Sequence, residues 1–234
     1  MILLSKMVIT RYLSVMIAVI GLIALIELAP IDLKIASWFY SDLCRCFPVG
    51  ELSWVREIDR VIAWSGRVAL PLILAAMLYF WLRLLAGGQA VASYRRGLRA
   101  LGFMAILGAV TPLILIHEVL KPEVGRARPR EVREFSGPQM FTPAWIKSEA
   151  CRRNCSFTSG HVAFGAWLTT AWYVAGRFRW IWLFLGTGMT LLIGWSRMAQ
   201  GAHFFSDVVG SILLVWLTAQ LLVMAKTFDL RHGH

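Results

Sequence analysis

Three groups of polar residues interrupt an apolar sequence, and their types suit one kind of chemistry. The first is Lys121-Pro-Glu-Val-Gly-Arg126-Ala-Arg128-Pro129. The second is Ser156-Phe-Thr158-Ser159-Gly160-His161, and the third is Ser196-Arg197 followed by His203 and Asp207. Lys121, Arg128 and Arg197 supply positive charge, and the two guanidinium groups present forked donors that match phosphate oxygens. Ser159 and Gly160 open a helical stretch, where unpaired backbone N–H groups and the helix dipole favour an anion. Two imidazoles, His161 and His203, can divide the work of general acid and nucleophile. Asp207 follows His203 by one helical turn, so its carboxylate can accept the second ring N–H and orient the base. The set suits a phosphate ester. Taken singly, each residue has a plainer reading, as a solvated arginine, a satisfied histidine or a chance His–Asp pair. The functional reading rests on their convergence.

Convergence must come from the elements around them. Of 234 residues, 58% are hydrophobic and 16% charged, with a mean hydropathy of +0.65. Soluble domains run about 45–50% apolar and about a quarter charged, so an integral membrane protein is expected. Disorder, collagen-like repeats and a small disulfide scaffold are excluded. A formal charge of +11 would suggest nucleic acid in a soluble protein. Here the aromatic residues sit among apolar spans and no basic stripe lies on a polar helix. Membrane topology and an anionic substrate account for the charge, and no nucleic-acid partner is expected.

About 20 apolar residues cross a bilayer as a helix, and six such stretches are legible, at 7–28, 67–85, 98–120, 160–176, 180–195 and 207–226. The expected fold is therefore all-α: one membrane-embedded domain over residues 1–234, a bundle of six transmembrane helices. The first stretch exceeds a signal-peptide core, and Glu27-Leu28-Ala29-Pro30 is a poor cleavage site, so a retained helix is expected. Six spans put both termini on one side. That side holds Lys6, Arg11, Arg83, Arg95, Arg96, Arg99, Arg177, Arg179, Lys226 and Arg231 against one acid, Asp229. The positive-inside rule makes it cytoplasmic. The polar clusters at the ends of spans three and five and the starts of spans four and six then all face outward, onto one surface.

Two outer segments are long. In 30–66, the stretches 32–40 and 51–64 mix aromatic and charged residues at helical spacing, suiting short helices at the interface or capping the bundle. Residues 121–159 hold four prolines and read as a loop region. Cys44, Cys46, Cys151 and Cys155 all fall in these segments, which favours disulfides. Cys151–Cys155, or two bonds tying the segments together, is favoured over the very short Cys44–Cys46 ring. A four-Cys zinc site has atypical spacing.

Six residues separate Lys121 from Arg128-Pro129, Ser159-Gly160-His161 follows, five residues separate Ser196-Arg197 from His203, and three separate His203 from Asp207. This order and spacing resembles the three-part signature of the type-2 phosphatidic acid phosphatase family, within residues 121–207. The resemblance implies a metal-independent, two-step phosphatase without cofactor. His203 would attack phosphorus, oriented by Asp207, and His161 would protonate the leaving oxygen. Lys121, Arg128, Arg197, Ser159 and the Gly160 N–H would hold the phosphoryl oxygens. Thr158 departs from the family's usual proline. The resemblance further implies a phosphorylated lipid substrate and a site on the outer face of a bacterial inner membrane. Phosphatidate, phosphatidylglycerophosphate, undecaprenyl pyrophosphate and lipid A are the possibilities, and the charged Cys-bearing loop leans toward lipid A. A phosphotransferase sharing the phosphohistidine is the alternative, and a transporter is the alternative of another class. Around the motifs, Arg126 is expected at the pocket rim or in solvent. His117 and Glu118 are expected in the core or beside the site, Arg152 and Arg153 near anionic headgroups, and His232 and His234 in an uninvolved tail.

Overall fold

The computed structural model describes residues 2–87 and 90–225; Lys226, Asp229, Arg231, His232 and His234 lie outside the described residues. The described chain is helical, and its β pairing is confined to the isolated bridges Ser41–Cys46 and Val132–Gln139. Helix α1 (Ile2–Ala24) passes through one 3-10 turn into α2 (Ala29–Ser37), which carries Pro30 in its first turn. Helix α3 (Ser53–Leu85) and α4 (Val91–Gly108) pack along each other. α4 continues as a π-helix over Ala109–Leu120 and ends in a single turn, α5 (Lys121–Val124). Helices α6 (Gly160–Thr169), α7 (Arg179–Ala199) and α8 (Phe205–Met224) complete the bundle.

Five helical stretches are long and apolar enough to cross a membrane: Tyr12–Ser37, Ser53–Leu85, Val91–Glu131, Gly176–Ala199 and Phe205–Met224. The count of six is not confirmed. The remaining stretch, 160–176, forms the ten-residue α6 and a 3-10 turn, Thr170–Tyr173. Ten residues rise about 15 Å, half of a hydrocarbon core of about 30 Å. α6 packs against α7 and α8, burying Val162, Ala163, Ala166 and Trp167. Close packing is built in: a Cβ on Gly186 of α7 would stand 2.6 Å from the Thr169 backbone. The outward faces of α1, α3 and α7 instead expose Ile20, Ile23, Leu72, Leu78, Phe184 and Leu185. Such faces suit lipid rather than water.

Residues 51–64 do not form a separate interfacial helix. Glu51 ends the 3-10 turn Pro48–Glu51, and residues 53–64 are the first turns of α3, whose 33 residues rise about 50 Å, well past a bilayer core. Arg56, Glu57 and Arg60 interrupt hydropathy, but they do not interrupt backbone hydrogen bonding. The 121–159 segment is mostly irregular, as expected. It packs over one end of the bundle through Val132 and Phe135 against Ala36, Phe47 and Phe204. Both disulfides are local, Cys44–Cys46 and Cys151–Cys155. The short Cys44–Cys46 ring forms because Ser41 and Cys46 exchange backbone hydrogen bonds of 2.9 and 3.3 Å, a turn that brings the two cysteines together.

Candidate active site

Each cluster hangs from a helix end, so the bundle sets their mutual distances. Lys121 follows the π-helix and is 3% exposed. Its Nζ donates to the Cys155 carbonyl at 2.7 Å and to Asn154 Oδ1 at 3.3 Å. Arg128 donates from Nη2 to the Asn154 carbonyl at 2.7 Å, and Glu131 caps its backbone N–H at 3.0 Å. Arg197, in the last turn of α7, is held by Asp59 of α3 and by Gln200 Oε1 at 2.7 Å. Its Nε and His161 Nε2 have no hydrogen-bond partner among the described residues.

Ser159 caps α6, its Oγ accepting from Val162 N–H at 3.5 Å, so its hydroxyl serves the helix. Gly160 leaves room for the His117 ring: an added Cβ would stand 2.5 Å from His117 Nε2, so the ring would have to move. His161 lies one residue further, with Nε2 3.4 Å from Asp59 Oδ1.

His203 is 2% exposed, and its Nδ1 lies 2.7 Å from the Ser156 carbonyl and 3.7 Å from Asp207 Oδ2. A carbonyl only accepts, so the hydrogen sits on Nδ1 and Nε2 keeps its lone pair. The expected Asp207 contact is thus second to the Ser156 carbonyl. Burial holds the imidazole well below its usual pKa; the nearby Asp207 carboxylate opposes this, and Lys121 and Arg197 add to it. A buried neutral imidazole is a competent nucleophile.

Asp207 is held from three sides. Ser156 Oγ donates to it at 2.5 Å, Phe204 N–H at 2.8 Å and Arg126 Nη1 at 2.7 Å. Arg126 is therefore neither rim nor solvated: it is fully buried. Its Nη2 donates to Asp32 Oδ2 at 2.8 Å and its Nε to the Thr142 carbonyl at 2.8 Å, with the Phe204 ring 4.3 Å away. Asp32 also accepts from Ser206 N–H and Oγ, at 2.7 and 2.6 Å.

Lys121, Arg128, Gly160, His161, Arg197 and His203 line one cavity of about 270 Å³, together with Asp59, His117, Arg130, Asn154 and Gln200. Asp207 and Ser159 lie behind its wall. A second cavity of about 400 Å³ shares His117, Gly160 and His161. Otherwise it is apolar but for Arg67, running past Ile62, Leu70, Pro71, Leu113, Phe164 and Trp167. Sequence reasoning missed Asp59, Asp32, Asn154 and the Ser156 carbonyl. Asp59 had a signal: at helical spacing it shares a face with Val55 and Ile62, both buried.

The chain is similar to known lipid A 4'-phosphatases by sequence. A lipid A 4'-phosphatase of Francisella tularensis subsp. novicida (strain U112) is 29% identical over 194 residues, spanning 80% of this chain and 82% of the relative. The lipid A 4'-phosphatase of Rhizobium leguminosarum is 32% identical over 117 residues, 50% of this chain and 48% of the relative. That of Rhizobium etli is 32% identical over 122 residues, 51% and 46%. No solved structure matches the chain. The PAP2 superfamily model matches residues 97–229, which contain all three clusters, and the chain belongs to that superfamily.

Proposed function

We propose that this membrane protein removes a phosphate from lipid A, or a lipid with a similar phosphorylated headgroup, through a phosphohistidine on His203. The observation that carries the reading is the meeting of the two cavities at Gly160 and His161. One is polar and cationic, large enough to take a phosphate group. The other is apolar and reaches the π-helix at Leu113, which is 47% exposed, so an acyl chain and a phosphate can be held at once. The printed names of the three relatives support lipid A as the headgroup.

In this reading Lys121, Arg128 and Arg197 hold the phosphoryl oxygens, with the N–H groups at the start of α6. His203 Nε2 attacks phosphorus, and the bond to the lipid oxygen breaks. His161 gives that oxygen its proton: burial and then Arg197 hold the free ring's pKa down to about 4, Asp59 opposes them, and the arriving dianion adds the charge that favours the protonated ring. Water then attacks the phosphohistidine, returns a proton to His161 and releases phosphate. The three cations supply the charge stabilisation, so no step needs a metal. In this reading the site faces the periplasmic side of the inner membrane, which the Lys/Arg bias of the six-span arrangement supports.

The test is release of inorganic phosphate from lipid A and from phosphatidate by purified protein in mixed micelles, with acid-labile phosphoenzyme trapped by rapid quench. Release from lipid A, with labelled protein absent in His203→Ala, is expected. No release from either lipid, or labelling that survives His203→Ala, overturns the reading.

A further inference from the structure

Residues 151–156 hold groups of two of the three clusters: Lys121 and Arg128 of the first, and His203 and Asp207 of the third. The Cys151–Cys155 disulfide closes a small loop in which Asn154 stands at φ +55°, a left-handed conformation that asparagine tolerates better than most side chains. The loop is tied to the chain between the two cations of the first cluster. Cys151 N–H donates to the Gly125 carbonyl at 3.1 Å and Ser156 N–H to the Arg126 carbonyl at 2.9 Å. From that position the loop turns three oxygens on the cations: the Asn154 carbonyl on Arg128, and the Cys155 carbonyl and Asn154 Oδ1 on Lys121. All three acceptors are neutral. A neutral oxygen fixes a cation in direction without cancelling its charge, whereas a carboxylate in the same place would oppose an arriving dianion. Lys and Arg carry large rotamer entropy, and fixing both before substrate arrives is preorganisation.

The geometry points to Asn154, held by the Cys151–Cys155 disulfide, as a positioning residue that sets Lys121 and Arg128 for the phosphoryl group. This rests on the reading of those two cations as phosphate ligands. The carbonyl contacts at 2.7 Å are the stronger ones, so the backbone conformation of the loop matters more than the Asn154 amide. Asn154→Gly keeps the left-handed backbone and both carbonyls and loses only Oδ1. Asn154→Asp keeps an acceptor but adds a charge against Lys121. Opening the disulfide releases all three oxygens together.

The test measures kcat, KM and the inhibition constant for inorganic phosphate, using full-length protein in detergent with and without dithiothreitol. Asn154→Asp is expected to weaken phosphate inhibition about 10-fold, and Asn154→Gly only about 2–4-fold, with unchanged melting temperatures. Dithiothreitol should weaken inhibition about 10-fold in the wild type and in Cys44→Ser/Cys46→Ser. It should have no effect on Cys151→Ser/Cys155→Ser, which starts weakened. If Asn154→Asp binds phosphate as the wild type does, and dithiothreitol changes nothing, the proposal is overturned. Should the Cys151→Ser/Cys155→Ser protein fail to fold, the Asn154 variants retain the disulfide and decide the matter. Lys121→Ala separates the two levels: unchanged phosphate inhibition there refutes the cation reading itself. A loss there with no effect at Asn154 refutes only the positioning role.

Discussion

Replacing Arg126 by Met removes the cation shared by two fully buried carboxylates, Asp32 and Asp207. Breaking a buried ion pair by deleting one partner costs about 3–5 kcal/mol. Proton uptake sets a ceiling. A carboxylate of ordinary pKa about 4 takes a proton at pH 7 for about 4 kcal/mol, at 1.36 kcal/mol per pH unit. The deficit should therefore be about 4 kcal/mol at pH 7, seen as a melting temperature about 10–15 °C lower at 2–4 °C per kcal/mol. Because relief comes from protonation, the deficit should shrink by about 1.4 kcal/mol per unit as pH falls. At pH 5 it should be about 1–2 kcal/mol. Adding Asp32→Asn to Arg126→Met removes one of the stranded charges and should recover part of the pH 7 loss. Thermal denaturation of the three proteins in one detergent, at pH 7 and pH 5, measures all of this. An Arg126→Met protein as stable as the wild type at pH 7 would refute the reasoning, as would a deficit that does not narrow at pH 5.

The two histidines should separate kinetically. His203→Ala should abolish turnover of every substrate, while His161→Ala should lose about 10²–10⁴-fold on a lipid monoester and clearly less on a nitrophenyl ester, whose leaving group needs no proton. Steady-state rates on both esters check it, and equal damage on both would remove His161 from the leaving-group role. Gly160→Ala puts a Cβ against the His117 ring and should lower kcat/KM about 10²-fold by shifting the start of α6; wild-type kinetics would show that the approach is not tight. Activity should persist in EDTA, since three side-chain cations supply the charge; loss reversed by a divalent ion would refute that. The depressed pKa of His203 means that the unfolded chain binds a proton below about pH 6.5 that the folded chain refuses, so stability falls as pH drops through that range. His203→Gln should flatten that slope in melting scans between pH 7.5 and 5.5.

The chemistry-bearing side chains were legible because their spacing is a property of the chain itself. Topology then required the helix ends that carry them to share a face. What was not legible acts through atoms or through distance. The carbonyls of Ser156, Asn154 and Cys155 hold His203, Arg128 and Lys121, and a carbonyl leaves no mark in residue type. Asp32 and Asp59 stand far from the clusters in sequence, and an acid near a helix start reads as a solvated or interfacial charge. Arg126 looked like one more outer cation. Its burial follows only once α2, the 121–159 segment and α8 are brought together. The length of α6 was overstated because burial in protein and burial in lipid demand the same hydropathy.

The apolar cavity beside Gly160 and His161 is lined by Pro71 of α3 and Leu113 of the π-helix, both exposed, and by no residue of the 121–159 segment. A lipid held there keeps its tails in the leaflet throughout the reaction. The enzyme then samples substrate in two dimensions, so the variable that sets its rate is mole fraction in the membrane. Diluting a micelle with water should leave velocity almost unchanged, while diluting the lipid within the micelle with inert detergent should lower it in proportion.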